Sequence, residues 1–209
     1  MPPLPGKLIA LEGIDGSGKS TLATSLHAFL LKNHIPAILT KEPGGTPLGI
    51  TTRKLLQDRP VSICARAEFL LFAADRAQHF EEKVIPALRQ GTVVISDRMA
   101  DSALVYQGYG RGLDRTMITT INRWAMQGMT PDLTIYVRID VATAHQRIAQ
   151  RAGARSVFDA EKEDFFKRLV AGYDELYQNR SDILIVDGTL APDTLSDTTS
   201  QRILTWMRS

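Results

Sequence analysis

Eight consecutive residues constrain this chain more than any others. Gly13, Ile14, Asp15, Gly16, Ser17, Gly18, Lys19 and Ser20 fit the pattern G-x-x-x-x-G-K-[ST]. The apolar run 7–12 (KLIALE) before them reads as a buried strand, and residues 19–32 after them carry Leu22, Leu26, Phe29 and Leu30 at helical spacing. A strand, a glycine-rich turn and a helix in that order make a phosphate cradle. Glycines let backbone N–H groups converge on phosphate oxygens, and the helix turns its positive N-terminus toward the anion. The expected phosphate-binding set is Gly13, Asp15, Gly16, Ser17, Gly18, Lys19, Ser20 and Thr21, with Lys19 reaching the β- and γ-phosphates and the Ser20 hydroxyl suited to Mg²⁺. At average composition such a pattern arises by chance on the order of 1% of the time in a chain of this length.

The rest of the chain alternates in the same way. Strands are expected at 37–40, 92–96, 133–139 and 183–186. Helices are expected near 48–57, 65–90 (with Pro86 as a kink), 114–127, 141–151, 161–179 and 194–208. Alternation of this kind predicts an α/β fold, a parallel sheet between two helical layers, as one domain over 1–209. A net charge of +2 argues against a whole-protein attraction to nucleic acid. The longest stretch free of Asp, Glu, Lys and Arg is too short to span a bilayer, residues 1–6 lack a signal-peptide pattern, and the one cysteine, Cys64, excludes a disulfide framework. A cytoplasmic protein is expected.

Asp97 ends the third apolar strand, where an acid beside a phosphate loop helps hold Mg²⁺ together with Ser20. The segments between carry Arg53, Arg76 and Arg98, placed for a second anionic ligand. A hydrolase needs one nucleotide site, whereas a phosphoryl transferase needs two facing each other. No N/T-K-x-D element for reading guanine is present.

Four segments in order then resemble the thymidylate kinase family, bacterial type with a basic lid: Glu12 to Thr21 (EGIDGSGKST), Lys41 to Thr46 (KEPGGT), Leu71 to His79 (LFAADRAQH), and Asp97-Arg98 with Asp101-Ser102 and Tyr106-Gln107-Gly108-Tyr109. The resemblance covers nearly the whole chain. It implies a nucleoside monophosphate kinase-like three-layer α/β/α fold and Mg²⁺-dependent transfer of the ATP γ-phosphoryl to dTMP, a step toward dTTP. It also implies a homodimer, with apolar helical faces near Leu70 and at 118–121 as candidates.

Roles follow from the resemblance. Glu42, Arg53, Phe72, Arg76, Arg98, Ser102, Tyr106 and Gln107 bind dTMP. Phe72 stacks on thymine while Phe69 belongs to the core. Arg76 donates to a thymine carbonyl, and without the resemblance it would read as a surface arginine paired with Asp75 or Glu81. Gln107 completes base recognition, Arg53 and Arg98 clamp the acceptor phosphate, and Tyr106 crowds the ribose 2′ position. Glu42 lies near the sugar or the magnesium. Asp15 orients the phosphate-binding arginine. The catalytic set is Lys19, Arg98, Asp15 and, from a lid over about 147–160, Arg151 and Arg155. Lys41, Met99 and Ala103 depart from the family's pattern, the last two at positions that bear on thymine selectivity. A kinase for another nucleoside or nucleotide and an ATP-dependent switch are the alternative readings.

Overall fold

The computed structural model describes residues 5–58, 61–150, 158 and 161–208. Five parallel strands form the sheet: β1 (Leu8–Glu12), β2 (Ala37–Lys41), β3 (Val93–Asp97), β4 (Leu133–Arg138) and β5 (Ile183–Asp187). Their order is β2-β3-β1-β4-β5. β1 is central, with Leu11 opposite Asp97 on one side and Ile135 on the other. It is buried along its whole length, as a strand covered on both faces must be.

Alternate side chains of β1 feed two different cores. Ile9 and Leu11 face helices α1 (Lys19–Lys32) and α9 (Pro192–Arg208), where they meet Leu22, Leu26, Leu30 and Ile203. Leu8 and Ala10 face the opposite layer, against Phe80, Val84, Leu88 and Met126. Leu26 and Leu30 are wholly buried, and truncating either to alanine costs about 2–5 kcal/mol. The second layer also holds α8 (Glu163–Tyr177), whose Phe165, Phe166 and Tyr173 pack with Tyr106 and Tyr136.

Two stretches depart from the sequence expectation. The helix expected over 65–90 is α3 (Ala65–His79), a π turn (Phe80–Val84) and α4 (Ile85–Arg89). Pro86 lies in the first turn of α4, where a missing N–H is tolerated, and the wider turn upstream takes the change of register. Between β3 and α6 (Arg115–Ala125), where no element is expected, stand α5 (Ala100–Ala103) and a π segment (Leu104–Gly110). Gly108 and Gly110 hide its period from propensity. The remaining helices are α2 (Pro47–Asp58) and α7 (Val141–Gln150). The chain passes from β1 to β2 and β3 on one side, then crosses to β4 and β5 on the other. That reversal opens a crevice beyond the C-terminal ends of the strands, where residues 13–18, 41–42 and 97–98 converge.

Candidate active site

The loop after β1 is built from backbone. Gly13, Gly16 and Gly18 stand at φ 146°, 83° and 92°, conformations that side chains rarely adopt. A Cβ on Gly16 would lie 2.7 Å from the Ala144 carbonyl oxygen. The Ser17 hydroxyl is buried with no partner among the described residues, and the buried Lys19 ammonium bonds the Ile14 carbonyl at 3.3 Å, with Asp15 at 3.8 Å. Burial and the nearby Arg98 pull the Lys19 ammonium down to about 8. Arg147 on α7 donates to the Gly188 carbonyl at 2.7 Å and reaches the Ser17 carbonyl at 3.4 Å. It clamps the loop from outside.

Asp15 is not a free loop acid. Its Oδ1 accepts from Arg98 Nη2 at 2.7 Å and its Oδ2 from the Tyr106 hydroxyl at 3.0 Å. Burial pushes its carboxyl up, but Arg98 and Lys19 pull harder and hold it below the usual carboxylate range. Arg98 also donates to the Gly13 carbonyl and to Ser102 Oγ, both at 3.0 Å. The guanidinium thereby bridges the phosphate loop and α5.

A second network lies below β2. Glu42 is 3% exposed. One of its oxygens accepts from Arg76 Nε at 2.8 Å and the other lies 2.9 Å from His79 Nδ1. Burial raises this carboxyl, yet Arg76 and His79 bring it below its ordinary value. His79 in turn meets Thr40 Oγ1 at 2.7 Å. Arg76 completes its shell with Asn122 Oδ1 at 2.7 Å and the Met99 carbonyl at 3.2 Å. An arginine this buried, 2% exposed, is tolerable only when paired and bonded. Its partner is neither Asp75 nor Glu81 but Glu42. Glu42 thus holds Arg76 and His79 in place while still lining the cleft.

These groups border two cavities. One, of about 100 Å³, is walled by Phe72, Arg76, Met99, Ala103, Tyr106 and Gln107. The other, about 670 Å³, lies over Lys19, Ser20 and Asp97. Asp15, Glu42, Arg53 and Arg98 line both. Arg53 reaches the shared wall by donating to the Pro43 carbonyl at 3.1 Å. Phe72 faces the smaller cavity while Phe69 packs with Ala73, Ala103 and Ile118 in the core. Gln107 is fixed by donating to Glu68 at 2.9 Å. Ser102 lines the cavity, but its hydroxyl is turned to Glu12, Tyr173 and Arg98. It therefore also touches Arg98 from the side of α5.

Ser20 and Asp97 meet at the mouth of the larger cavity, where the Ser20 hydroxyl donates to Asp97 Oδ2. Asp97 Oδ1 is buried with no partner among the described residues. A hydroxyl and an orphaned carboxylate oxygen fit Mg²⁺, which takes one or two protein oxygens and completes its shell with phosphate and water. No group of three or more His, Cys, Asp or Glu among the described residues offers an all-protein metal site. Arg151 and Arg155 lie outside the described residues.

Comparison with known proteins fits this geometry. The family model described as thymidylate kinase matches residues 11–198. The thymidylate kinase of Halothermothrix orenii is 44% identical over 182 residues, covering 86% of this chain and 88% of its own. That of Carboxydothermus hydrogenoformans is 40% identical over 190 residues, covering 91% and 93%. That of Leifsonia xyli subsp. xyli is 42% identical over 185 residues, 88% of each chain. The chain belongs to the thymidylate kinase family.

Several residues of this thymidylate kinase family site carried no role in the sequence reading. Glu12, Glu68, His79, Asn122 and Tyr173 are buried acceptors and donors behind the pocket. Glu12 and His79 stand in segments that carry the resemblance, but none of the five shows its role locally, because each works through a partner distant in sequence. Phe158, the one described residue of 151–160, also walls the smaller cavity, 6.3 Å from the Phe72 ring and 5.8 Å from that of Tyr106. Among the described residues no helix is long and apolar enough to cross a membrane.

Proposed function

We propose that this chain transfers the γ-phosphoryl group of ATP to dTMP, giving ADP and dTDP. The carrying observation is the wall of Asp15, Glu42, Arg53 and Arg98 common to both cavities. Two anionic ligands on either side of one pair of arginines are in position for direct transfer. A dTMP phosphate oxygen attacks the γ-phosphorus in line, and the bond to the β–γ bridging oxygen breaks as ADP leaves. No protein nucleophile is required.

Positioning and charge supply the catalysis. Backbone N–H groups of the loop and Lys19 hold the ATP phosphates. Arg98, oriented by Asp15 and Tyr106, faces the group in transit. Ser20 and Asp97 would hold Mg²⁺, which would supply charge neutralisation for the transfer. Arg151 and Arg155 add charge from the lid. Arg53 and Arg98 clamp the acceptor phosphate, Phe72 stacks on thymine, Arg76 and Gln107 read its polar edge, and Tyr106 fills the space a ribose 2′-hydroxyl needs. ADP formation across dTMP, dUMP, UMP, CMP and AMP tests this, with dTMP expected to dominate. A broad response would remove the thymine assignment. ATP hydrolysis indifferent to every monophosphate would replace transfer with a switch.

The same reading includes a homodimer. Leu70 on α3 and Met117 and Trp124 on α6 are 54%, 56% and 81% exposed, on two helices packed together. Of the candidates at 118–121, Ile118 belongs to the core. Sedimentation is expected to give twice the chain mass, and Trp124→Glu to reduce it toward the monomer.

A further inference from the structure

Arg98 is held in an unusual backbone state. Its φ is 72°, in the left-handed region, and a non-glycine residue stays there only where its surroundings over-determine it. The carbonyl of Arg98 accepts from Ser96 Oγ at 2.7 Å. The next N–H, that of Met99, donates to Glu12 Oε1 at 2.9 Å, and the Ser102 N–H donates to the same oxygen at 3.2 Å. The other oxygen, Oε2, accepts from the Ser102 hydroxyl and, at 3.0 Å, from the Tyr173 hydroxyl. Ser102 Oγ then accepts from Arg98 Nη1 at 3.0 Å. Glu12 therefore grips Arg98 twice, by the peptide that follows it and by the hydroxyl its guanidinium bonds.

Glu12 itself is fully buried and lines neither of the two substrate cavities. A carboxylate there is costly unless its lone pairs are engaged, and four donors engage them. Burial and the neighbouring Asp101 push it up to about 7. Its position at the end of β1, one residue before the phosphate loop, links that loop to Arg98 by a path independent of Asp15.

We propose that Glu12 is a positioning residue for phosphoryl transfer, fixing the left-handed turn and the guanidinium of Arg98 through Met99, Ser102 and Tyr173. The proposal rests on the reading of Arg98 as the group facing the transferred phosphoryl.

A double-mutant cycle at pH 8.5, where the carboxylate is ionised, tests it. Glu12→Gln keeps the volume but supplies only one acceptor oxygen for four donors. It is expected to lower kcat with dTMP about 10–100-fold while the ATP KM moves less than about 3-fold, because misplacing a catalytic group is felt in turnover. In an Arg98→Ala background the same change is expected to cost less than about 3-fold, since residues acting as one unit are not additive. Wild-type kcat in Glu12→Gln, even with a lowered melting temperature, would overturn the proposal and leave Glu12 structural. An undiminished loss on top of Arg98→Ala, or no loss from Arg98→Ala alone, would also overturn it. Should Glu12→Gln not fold, Ser102→Ala removes only the hydroxyl bridge and is expected to lower kcat about 3–10-fold with the same non-additivity. Additive loss or none would overturn the proposal. The wild-type control separates the two readings: a protein that does not phosphorylate dTMP removes the proposed function, while an active wild type with an equally active Glu12→Gln removes only the positioning role.

Discussion

The two halves of the site are built from different materials. The donor side is a run of neighbouring residues whose backbone does the binding, with three glycines at positive φ and one lysine. The acceptor side is assembled from side chains on α2, α3, α5, the π segment and the loops after β2 and β3, braced from behind by buried groups such as Glu12, Glu68, His79 and Asn122. A backbone cradle needs only the loop sequence and a packed floor. A side-chain pocket needs every brace, and each brace is a buried polar group that is costly when its partner is lost. The acceptor side should therefore be the more fragile of the two, and the donor side the more purely catalytic.

The largest expected effect falls on the acceptor side. Arg76→Ala takes the arginine from the buried Glu42 pair and leaves that carboxylate to His79, and breaking a buried pair costs about 3–5 kcal/mol of stability. It should also impair dTMP use far more than ATP binding. Calorimetry and the two KM values check this, and equal loss of both substrates would erase the distinction between the two halves.

Lys19→Ala is the contrasting case. It should lower kcat about 10²–10³-fold, the scale of losing one preorganised charge at the transferring group, with the melting temperature nearly unchanged. Near-normal turnover would remove the phosphate-loop assignment.

A smaller effect sharpens the boundary between the halves. Glu12 titrates in the folded state near 7, against an ordinary value of 4.5. Between those values the folded chain holds a proton that the unfolded chain has released, so this group makes stability fall as pH rises across that window. The total is on the order of 3 kcal/mol. Denaturant titrations at several pH values should show this slope in the wild type and its loss in Glu12→Gln. The smallest effect is on the cradle, where Gly16→Ala must force a Cβ toward the Ala144 carbonyl from a positive-φ residue, at about 1–3 kcal/mol.

The same contrast governs what the sequence reveals. The strand, loop and first helix are legible because eight adjacent residues carry a geometric demand, and the alternation of strands and helices then gives the sheet. Sequence adjacency misleads on the acceptor side. Asp75 and Glu81 look like natural partners for Arg76, yet its carboxylate lies 34 positions away, just past the end of β2. Ser102 reads as a ligand contact, and its hydroxyl also serves Glu12, the acid that closes an apolar strand. Phe69 and Phe72 share one helix, and only the resemblance separates stacker from core. The apolar face at 118–121 suits a dimer interface or the core equally well from sequence, and the packing of α3 on α6 puts Ile118 in the core.

One consequence of the shared wall concerns the order in which the substrates arrive. Arg53 and Arg98 border both cavities, so the first anion to arrive changes the charge that greets the second. Such a coupling is symmetric by thermodynamic necessity: whatever factor dTMP imposes on the affinity for ATP, ATP imposes on dTMP. Two arginines on a common border thus make each substrate an effector of the other, without any separate regulatory site.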